Sequence, residues 1–343
     1  MEAIIGIDVG TSAIKCSAIL PDGTSYNVRC DTPALKEINT NNQEIIFIPN
    51  EIWQCVLNLI LPITDYFQNL VISVVCQAPS LCFWNDNGGS VGISYLSYYG
   101  DPTQNNRSQR QGKTAKRLAF ADRIIESRQI KYISGLTGYI VYMLTGKLTL
   151  DSITSWEIGI ESFEDMSEMR NSMSSYVFPE ILPPLHQIPM NCLNMLSSKG
   201  KVLVGATDSA ILPISVVPEF SDYYVYLGTW GSLLKSQISC ADSYKKYYHT
   251  GVLNNWLISI SDFISKVDQN SNELDVLFDK VSKLTEIHSK IAICGGLTKT
   301  KRDYIQHLCI TFLNDREVLF VSEKEGALGA CRLAEMSICG VKK

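Results

Sequence analysis

The sequence lacks any apolar run near the roughly 18 residues that a membrane-spanning helix needs. Its first residues also lack a basic segment ahead of an apolar one. Asp8 interrupts the first apolar run, which argues against an ordinary signal peptide. These absences lead us to expect a cytoplasmic protein without a membrane partner.

Cysteine and histidine patterns that bind metals are missing as well. None of the eleven cysteines forms a Cys-x-x-Cys pair, and the four histidines show no metal-ligand spacing. Several cysteines lie inside apolar segments, which is typical of small buried thiols in a reducing compartment. The sequence therefore predicts neither a structural metal nor a catalytic cysteine.

The chain has no strong excess of one charge. Its net charge is −5, and 45% of its 343 residues are hydrophobic, an ordinary globular balance. Five basic residues follow a polar segment: Arg107, Arg110, Lys113, Lys116 and Arg117. Because no aromatic residues interleave with them, we interpret this stretch as a solvated face at the end of an exposed loop, and we expect no nucleic-acid partner. A small-molecule partner is expected.

The segments that are present indicate an α/β protein. Asn50 is predicted to cap a helix over residues 51–57. Apolar runs bounded by turn residues predict strands over 4–8, 14–20, 71–75, 201–204, 223–227, 233–238 and 291–294. Prolines cluster between positions 179 and 189, which favours a boundary there and two domains, 1–195 and 196–343.

Four short polar segments follow predicted strands, at residues 8–12, 205–209, 228–232 and 295–299. Open α/β domains bind ligands beyond strand ends, and backbone amides in glycine-rich turns can hold an anion. A single segment of this kind is usually only a turn. Four of them, in this order, favour a phosphate-handling site.

The sequence resembles the FGGY family of carbohydrate kinases, which includes xylulokinases and glycerol kinases, within the actin-like ATPase superfamily. Residues 5–15 resemble the first phosphate hairpin of that family, and residues 204–210 resemble the segment with its catalytic aspartate. Residues 227–231 are similar to its second phosphate loop. Residues 294–299 are similar to its adenosine motif, and residues 325–330 match the small-residue helix that follows.

The resemblance implies an α/β fold of two actin-like, ribonuclease H-like domains with a cleft between them. It implies an ATP-dependent, Mg²⁺-dependent kinase for a sugar, ketose or polyol, with a homodimer left open as the assembly. Asp8 would orient the metal, and Asp208 would act as general base. The residues implied for ATP are Gly10, Thr11, Ser12, Gly228, Thr229, Gly295, Gly296 and Lys299, and those implied for the sugar are Gln77 and Asp101.

Several of these residues also have structural interpretations. Asp208 could cap the segment after it, and Gln77 could belong to a strand-end turn. Lys15 is interpreted as an edge-strand side chain that reaches solvent, with no catalytic role.

The chain is a shortened member if it belongs to this family, and it departs from the pattern in two places. Where the family has a Trp-x-Asp-x-Arg segment, Asp101 is a loose match, and a long insertion is missing between Trp256 and Ile291. An inactive sugar- or nucleotide-binding regulator of the same fold is therefore a second hypothesis. A dehydratase activator is a third, disfavoured by the lack of paired cysteines.

Overall fold

The protein is described here by a computed structural model. It covers residues 2–33, 36–39, 44–67, 69–77, 80–95, 107–124, 130–160, 176–191, 199–211, 221–227, 231–237, 247–249, 256–259, 271–321 and 325–339.

Strands and helices alternate along the chain. The strands are β1 (Ala3–Val9), β2 (Ala13–Ile19), β3 (Ser25–Asp31), β4 (Lys36–Asn39), β5 (Glu44–Phe47), β6 (Asn69–Cys76), β7 (Ser80–Trp84), β8 (Ser90–Tyr95), β9 (Tyr132–Gly135), β10 (Thr149–Asp151), β11 (Glu180–Leu182), β12 (Gln187–Pro189), β13 (Lys199–Leu203), β14 (Ala206–Thr207), β15 (Tyr223–Leu227), β16 (Gly231–Gln237), β17 (Tyr247–His249), β18 (Trp256–Ser259), β19 (Lys290–Cys294) and β20 (Glu317–Phe320). The α-helices are α1 (Pro49–Thr64), α2 (Arg107–Ile124), α3 (Leu136–Thr145), α4 (Ser152–Glu157), α5 (Ser271–Leu284), α6 (Leu297–Thr300), α7 (Arg302–Phe312) and α8 (Glu325–Cys339). Among the helices of the described ranges, none is long and apolar enough to cross a bilayer.

The chain divides into two compact units. The first contains Met1–Tyr98, Asn105–Ser209 and Gly326–Lys343, and the second contains Tyr99–Gln104 and Ala210–Glu325. This division departs from the boundary at 195/196 that the proline cluster favours. The physical reason is strand pairing, because β13 lies beside β6 in the sheet of the first unit.

A mixed sheet forms the main layer of the first unit. Its strands follow the order β12-β13-β6-β1-β2-β3, and β14 also pairs with β6. The neighbours β13, β6 and β1 run parallel. Buried side chains of β1, β6, α1 and α3 make one hydrophobic core, which includes Ile5, Ile7, Trp53, Ile72 and Ile140. Since β6 is buried along nearly its whole length, it reads as a continuous apolar run.

A second sheet of the first unit has the order β4-β5-β8-β7-β9. Helix α2 packs beside it and begins at Arg107, so the exposed loop expected through position 112 ends earlier than predicted. Arg117 is 1% exposed, so the solvated-face interpretation is wrong for this residue, while Lys116 is exposed as expected.

The second unit has a six-stranded sheet with the order β17-β18-β16-β15-β19-β20. Strands β15, β19 and β20 run parallel, and β15 pairs antiparallel with β16. Apolar side chains of α5 and α7 cover the sheet, with Leu277, Phe278 and Leu308 among the buried ones. The predicted strand over residues 223–227 coincides with β15.

The start of α1 differs from the sequence prediction. Ile48 is the extended N-cap residue and Pro49 occupies the first turn, so Asn50 lies inside the helix and does not cap it. Proline suits this position because its fixed φ matches the helix and its missing N–H has no intrahelical partner there.

Gly205 offers a test of the close packing that places the segment after β13. Its φ is +92°, and a Cβ atom there would overlap the carbonyl oxygen of Val74 and lie 2.6 Å from Cγ2 of Thr137. We expect Gly205→Ala to lower the free energy of unfolding by about 3 kcal/mol, measured by urea titration. The matched control is Gly23→Ala, because Gly23 has a φ of +83° with nothing within 4 Å of an added Cβ. It should cost only about 1 kcal/mol. Equal losses would contradict the packing argument.

Candidate active site

Three parallel strands of the first unit bring their carboxyl ends to one edge of the sheet. Strand β1 pairs with β6 up to Val9 opposite Cys76, and β14 pairs with β6 up to Thr207 opposite Cys76. Backbone hydrogen bonds between neighbouring strands continue beyond the strand ends. Gln77 N–H donates to Val9 O at 2.9 Å, and Asp208 N–H donates to Cys76 O at 3.1 Å. Gln77 is therefore placed between the β1–β2 hairpin and Asp208.

The hairpin turn that joins β1 to β2 contains Gly10, Thr11 and Ser12. Gly10 N–H donates to the carbonyl of Ala13 at 3.1 Å and closes the turn. Thr32 fixes it from the end of β3, since its hydroxyl donates to Gly10 O at 2.8 Å and its N–H donates to Ser12 O at 3.2 Å. The loop thus has a defined conformation at the sheet edge where the predicted phosphate hairpin lies.

Asp8 lies just before the end of β1 and is 6% exposed. Lys15 on β2 stands opposite it in the hairpin register, and Lys15 Nζ donates to Asp8 Oδ2 at 3.1 Å. Burial raises the pKa of Asp8 above its ordinary value, while the charge and hydrogen bond of Lys15 lower it. The sequence analysis gives Lys15 no role in the site. The ion pair could be predicted from the short Gly-Thr-Ser turn, because a hairpin closed by this turn places Lys15 opposite Asp8.

The chemistry of Asp8 fits a magnesium ion that arrives with a nucleotide. Mg²⁺ prefers oxygen ligands, keeps several waters and takes only one or two carboxylates from a protein. Asp8 supplies one nearly buried carboxylate beside a turn with backbone amides. The residues at this edge are therefore of the right kind for Mg²⁺ bound to phosphate.

Gln77 places a buried amide side chain at this edge. It is 7% exposed, and neither its Nε2 nor its Oε1 has a hydrogen-bond partner within the described protein. An unsatisfied buried amide costs about 1–3 kcal/mol. A group that donates and accepts hydrogen bonds, such as a pair of hydroxyls, would satisfy both atoms.

The second unit repeats the arrangement at the carboxyl ends of β15 and β19. These strands pair in parallel up to Tyr226 opposite Cys294. Gly295 follows with a φ of +103°, and a Cβ there would lie 2.8 Å from the backbone nitrogen of Leu227. Gly295 therefore lets bare backbone lie against the last residue of β15.

Of the other predicted nucleotide residues, Gly296 and Lys299 are described and exposed. Gly296 precedes α6, and an added Cβ would meet nothing within 4 Å. Lys299 lies within α6. Gly228, Thr229 and the predicted sugar residue Asp101 lie outside the described residues.

Comparison with known proteins finds similarity in structure rather than in sequence. No protein-family model matches the chain, and no curated protein matches it. A ligand-bound xylulose kinase from Lactobacillus acidophilus aligns with a TM-score of 0.70 at 17% identity, over 100% of this chain and 91% of that one. A gluconate kinase from the same organism gives 0.71 at 18% identity, over 100% and 90%. Glycerol kinase from Plasmodium falciparum with ADP gives 0.65 at 13%, over 98% and 90%.

The chain has the fold of the FGGY carbohydrate kinases. The predicted resemblance and the α/β, actin-like fold class are confirmed at this level.

In this FGGY kinase fold a third aspartate, the fully buried Asp151, lies near the site. Burial raises the pKa of the Cys76 thiol well above its ordinary value, and the charges of Asp8, Asp208 and Asp151 raise it further. All three carboxylates therefore lie close to the end of β6. The sequence signal for Asp151 is an acid that directly follows an apolar strand and precedes Ser and Thr, a pattern typical of a helix cap.

Asp151 caps α4, a helix of the FGGY kinase fold that packs against β14 and so supports the strand leading to Asp208. Its Oδ1 accepts from the amides of Ile153 at 3.1 Å and Thr154 at 2.7 Å, and its Oδ2 is buried without a partner in the described chain. Burial raises the pKa of Asp151 to about 6, and the cap hydrogen bonds lower it in part.

Asp151→Asn tests this assignment through the pH dependence of stability. The folded-state pKa of about 6 lies above the ordinary aspartate pKa of 3.8, so the free energy of unfolding falls as the pH rises between these values. The loss amounts to about 3 kcal/mol. Asparagine keeps an oxygen for the cap but cannot ionise. From pH 4 to pH 7 the free energy of unfolding of Asp151→Asn, measured by urea titration, should therefore fall by about 3 kcal/mol less than that of the wild-type protein.

Asp151→Ala is the matched control, because it removes the carboxyl group and the cap together. It should be less stable than Asp151→Asn by about 1 kcal/mol at every pH. The same slope in the wild-type protein and in Asp151→Asn would contradict the buried, ionising carboxyl group.

Proposed function

We propose that the protein is an ATP-dependent carbohydrate kinase that transfers the γ-phosphoryl group to a hydroxyl of a sugar, ketose or polyol. One observation carries the proposal. Asp8 lies just before the end of β1, and Gln77 and Asp208 directly follow the parallel strands β6 and β14, so all three stand at a single sheet edge. This edge belongs to a fold shared with xylulose, gluconate and glycerol kinases.

Asp8 and the hairpin turn are proposed to handle the phosphoryl group. Asp8 would hold Mg²⁺ through its carboxylate, directly or through water. The metal, when bound, neutralises charge on the phosphate oxygens. The backbone amides of Gly10, Thr11 and Ser12 would donate hydrogen bonds to the same oxygens, in a turn that Thr32 already holds in place.

Asp208 is proposed as the general base. The oxygen of the substrate hydroxyl forms a bond to the γ-phosphorus, the bond from that phosphorus to the β–γ bridging oxygen breaks, and ADP leaves with the electron pair. The proton of the hydroxyl passes to the carboxylate of Asp208. Because Asp208 N–H is bonded to Cys76 O, its backbone is fixed beside Gln77.

Gln77 and Asp101 are proposed to bind the sugar. Gln77 has a buried amide donor and acceptor with no hydrogen-bond partner among the described residues, which suits neighbouring hydroxyls of a carbohydrate. The assignment of Asp101 rests on the sequence resemblance alone.

The remaining residues are proposed to bind the nucleotide. Gly228 and Thr229 would hold the phosphates, by their resemblance to a phosphate loop. Gly295 and Gly296 would let the nucleotide lie against backbone, which the open space beside Gly296 supports, and Lys299 lies close by in α6.

The proposal predicts ADP release that depends on one member of a panel of sugars and polyols. Asp208→Asn should lower that rate about 10²–10⁴-fold, because the base is lost, and should still bind ATP. A coupled ADP assay measures the rate, and calorimetry measures ATP binding. Asp65→Asn is the matched control, because Asp65 is an exposed aspartate after α1 in the same unit.

A protein that binds ATP with Mg²⁺ but releases no ADP with any compound of the panel would contradict phosphoryl transfer. That result would favour the second hypothesis, a sugar- or nucleotide-binding regulator of the same fold.

Gln77→Met separates a binding role from a structural one. Methionine has a similar shape without the unpaired polar atoms, so the variant should be as stable as the wild-type protein or more stable by up to about 1 kcal/mol. The KM for the sugar should rise about tenfold, since hydrogen bonds to the hydroxyls are lost. Urea titration and steady-state kinetics measure these quantities.

Gln54→Met, at an exposed position of α1, is the control and should change neither quantity. A loss of stability in Gln77→Met without a change in KM would show that Gln77 is a structural residue.

A further inference from the structure

Helix α8 lies directly on strand β1. The contact is made at Gly6, where an added Cβ would overlap Ala327 O and lie 2.5 Å from the backbone nitrogen of Cys331. The Cys331 thiol donates to Ser17 O on β2 at 3.2 Å. Since backbone touches backbone at Gly6, the helix has a closely defined position on the β1–β2 hairpin.

A second contact holds the other end of the same helix. Gln187 Nε2 donates to Ser337 O at 3.0 Å and to Ser337 Oγ at 3.2 Å. Gln187 begins β12, which belongs to the same sheet as β1. Helix α8 is therefore fixed to this sheet at two separate points.

The first turn of α8 meets the carboxylate of Asp8. At Gly326, an added Cβ would overlap Oδ2 and Cγ of Asp8 and lie 3.0 Å from its Cβ. Lys15 contacts the same oxygen at 3.1 Å. The carboxylate thus lies between an ammonium group and a helix position that has no side chain.

We propose that Gly326 is a positioning residue for Asp8. Its missing side chain leaves the space that the carboxylate occupies, and α8 is held too firmly to move aside. The proposal rests on the proposed function for its catalytic meaning, because the orientation it sets is the one in which Asp8 would face Mg²⁺. The steric contact itself stands independently of any activity.

A double-mutant cycle tests the contact through stability. Gly326→Ala is made in the wild-type protein, in Asp8→Ala, which removes Cγ and Oδ2, and in Asp8→Gly, which also removes the Cβ that lies 3.0 Å away. In the wild-type background we expect the thermal midpoint to fall by about 5 °C, because the new methyl group and the carboxylate compete for one space. The fall should be smaller in Asp8→Ala, where only the Cβ contact remains, and below about 1 °C in Asp8→Gly.

Gly112→Ala is the matched control. Gly112 lies within α2, and an added Cβ would meet nothing within 4 Å. This variant should lose no stability in any background. Equal losses from Gly326→Ala with and without the Asp8 carboxylate, or failure to fold in both, would overturn the proposal.

The affinity for Mn²⁺ in the presence of ADP is measured by electron paramagnetic resonance. This affinity would not change if Gly326 had a purely structural role. Gly326→Ala should weaken Mn²⁺ binding about tenfold, and Gly112→Ala should leave it unchanged. Coupled stability losses with unchanged Mn²⁺ binding would uphold the contact between Gly326 and Asp8 but contradict the metal role of Asp8. The two proposals therefore fail in different ways.

Discussion

The structure depends on the parallel pairing of β6 with β1 on one side and with β13 and β14 on the other. From Leu70 to Cys76 every residue of β6 is buried. A shift of one residue would exchange the two faces of the strand and disrupt the packing on both. This fixed register brings the three carboxyl ends to the same edge, and backbone bonds at Gln77 and Asp208 extend the order beyond the strands.

The polar groups at this sheet edge are exceptions to the burial of apolar side chains that forms the core of the unit. Asp8 is an acid in a strand whose other residues are mostly buried, and Gln77 is a buried amide with no hydrogen-bond partner in the part of the chain that the structure describes. Burying such groups costs free energy, which the apolar side chains of β1 and β6 offset. Local conflict of this kind inside a consistent fold is typical of a functional site.

Apolar runs bounded by glycine and polar residues were sufficient to predict several strands. Residues 223–227 form β15, and residues 71–75 lie within β6. These strands are predictable because they are buried and because short turns end them. The location of Asp8 and Gln77 at strand ends follows from the same pattern.

Features that depend on distant parts of the chain were not predictable. The burial of Arg117 depends on how α2 packs against a sheet, which a local charge pattern does not record. The pairing of β13 with β6 assigns residues beyond 195 to the first unit, against the signal of the prolines.

The start of α1 was misplaced because proline at the first turn and asparagine as a cap are competing signals.

The pairing of α8 with the hairpin has a consequence for folding. The hydrogen bond from the Cys331 thiol to the Ser17 carbonyl joins residues 314 positions apart. Residues 210–325 of the other unit lie between them in the chain. Contacts this distant in sequence form slowly, because a long loop must close first. During synthesis, β1 and β2 leave the ribosome long before the helix that covers them. The Asp8 carboxylate therefore gains its neighbour Gly326 late, and nascent chains expose the apolar face of the hairpin until then.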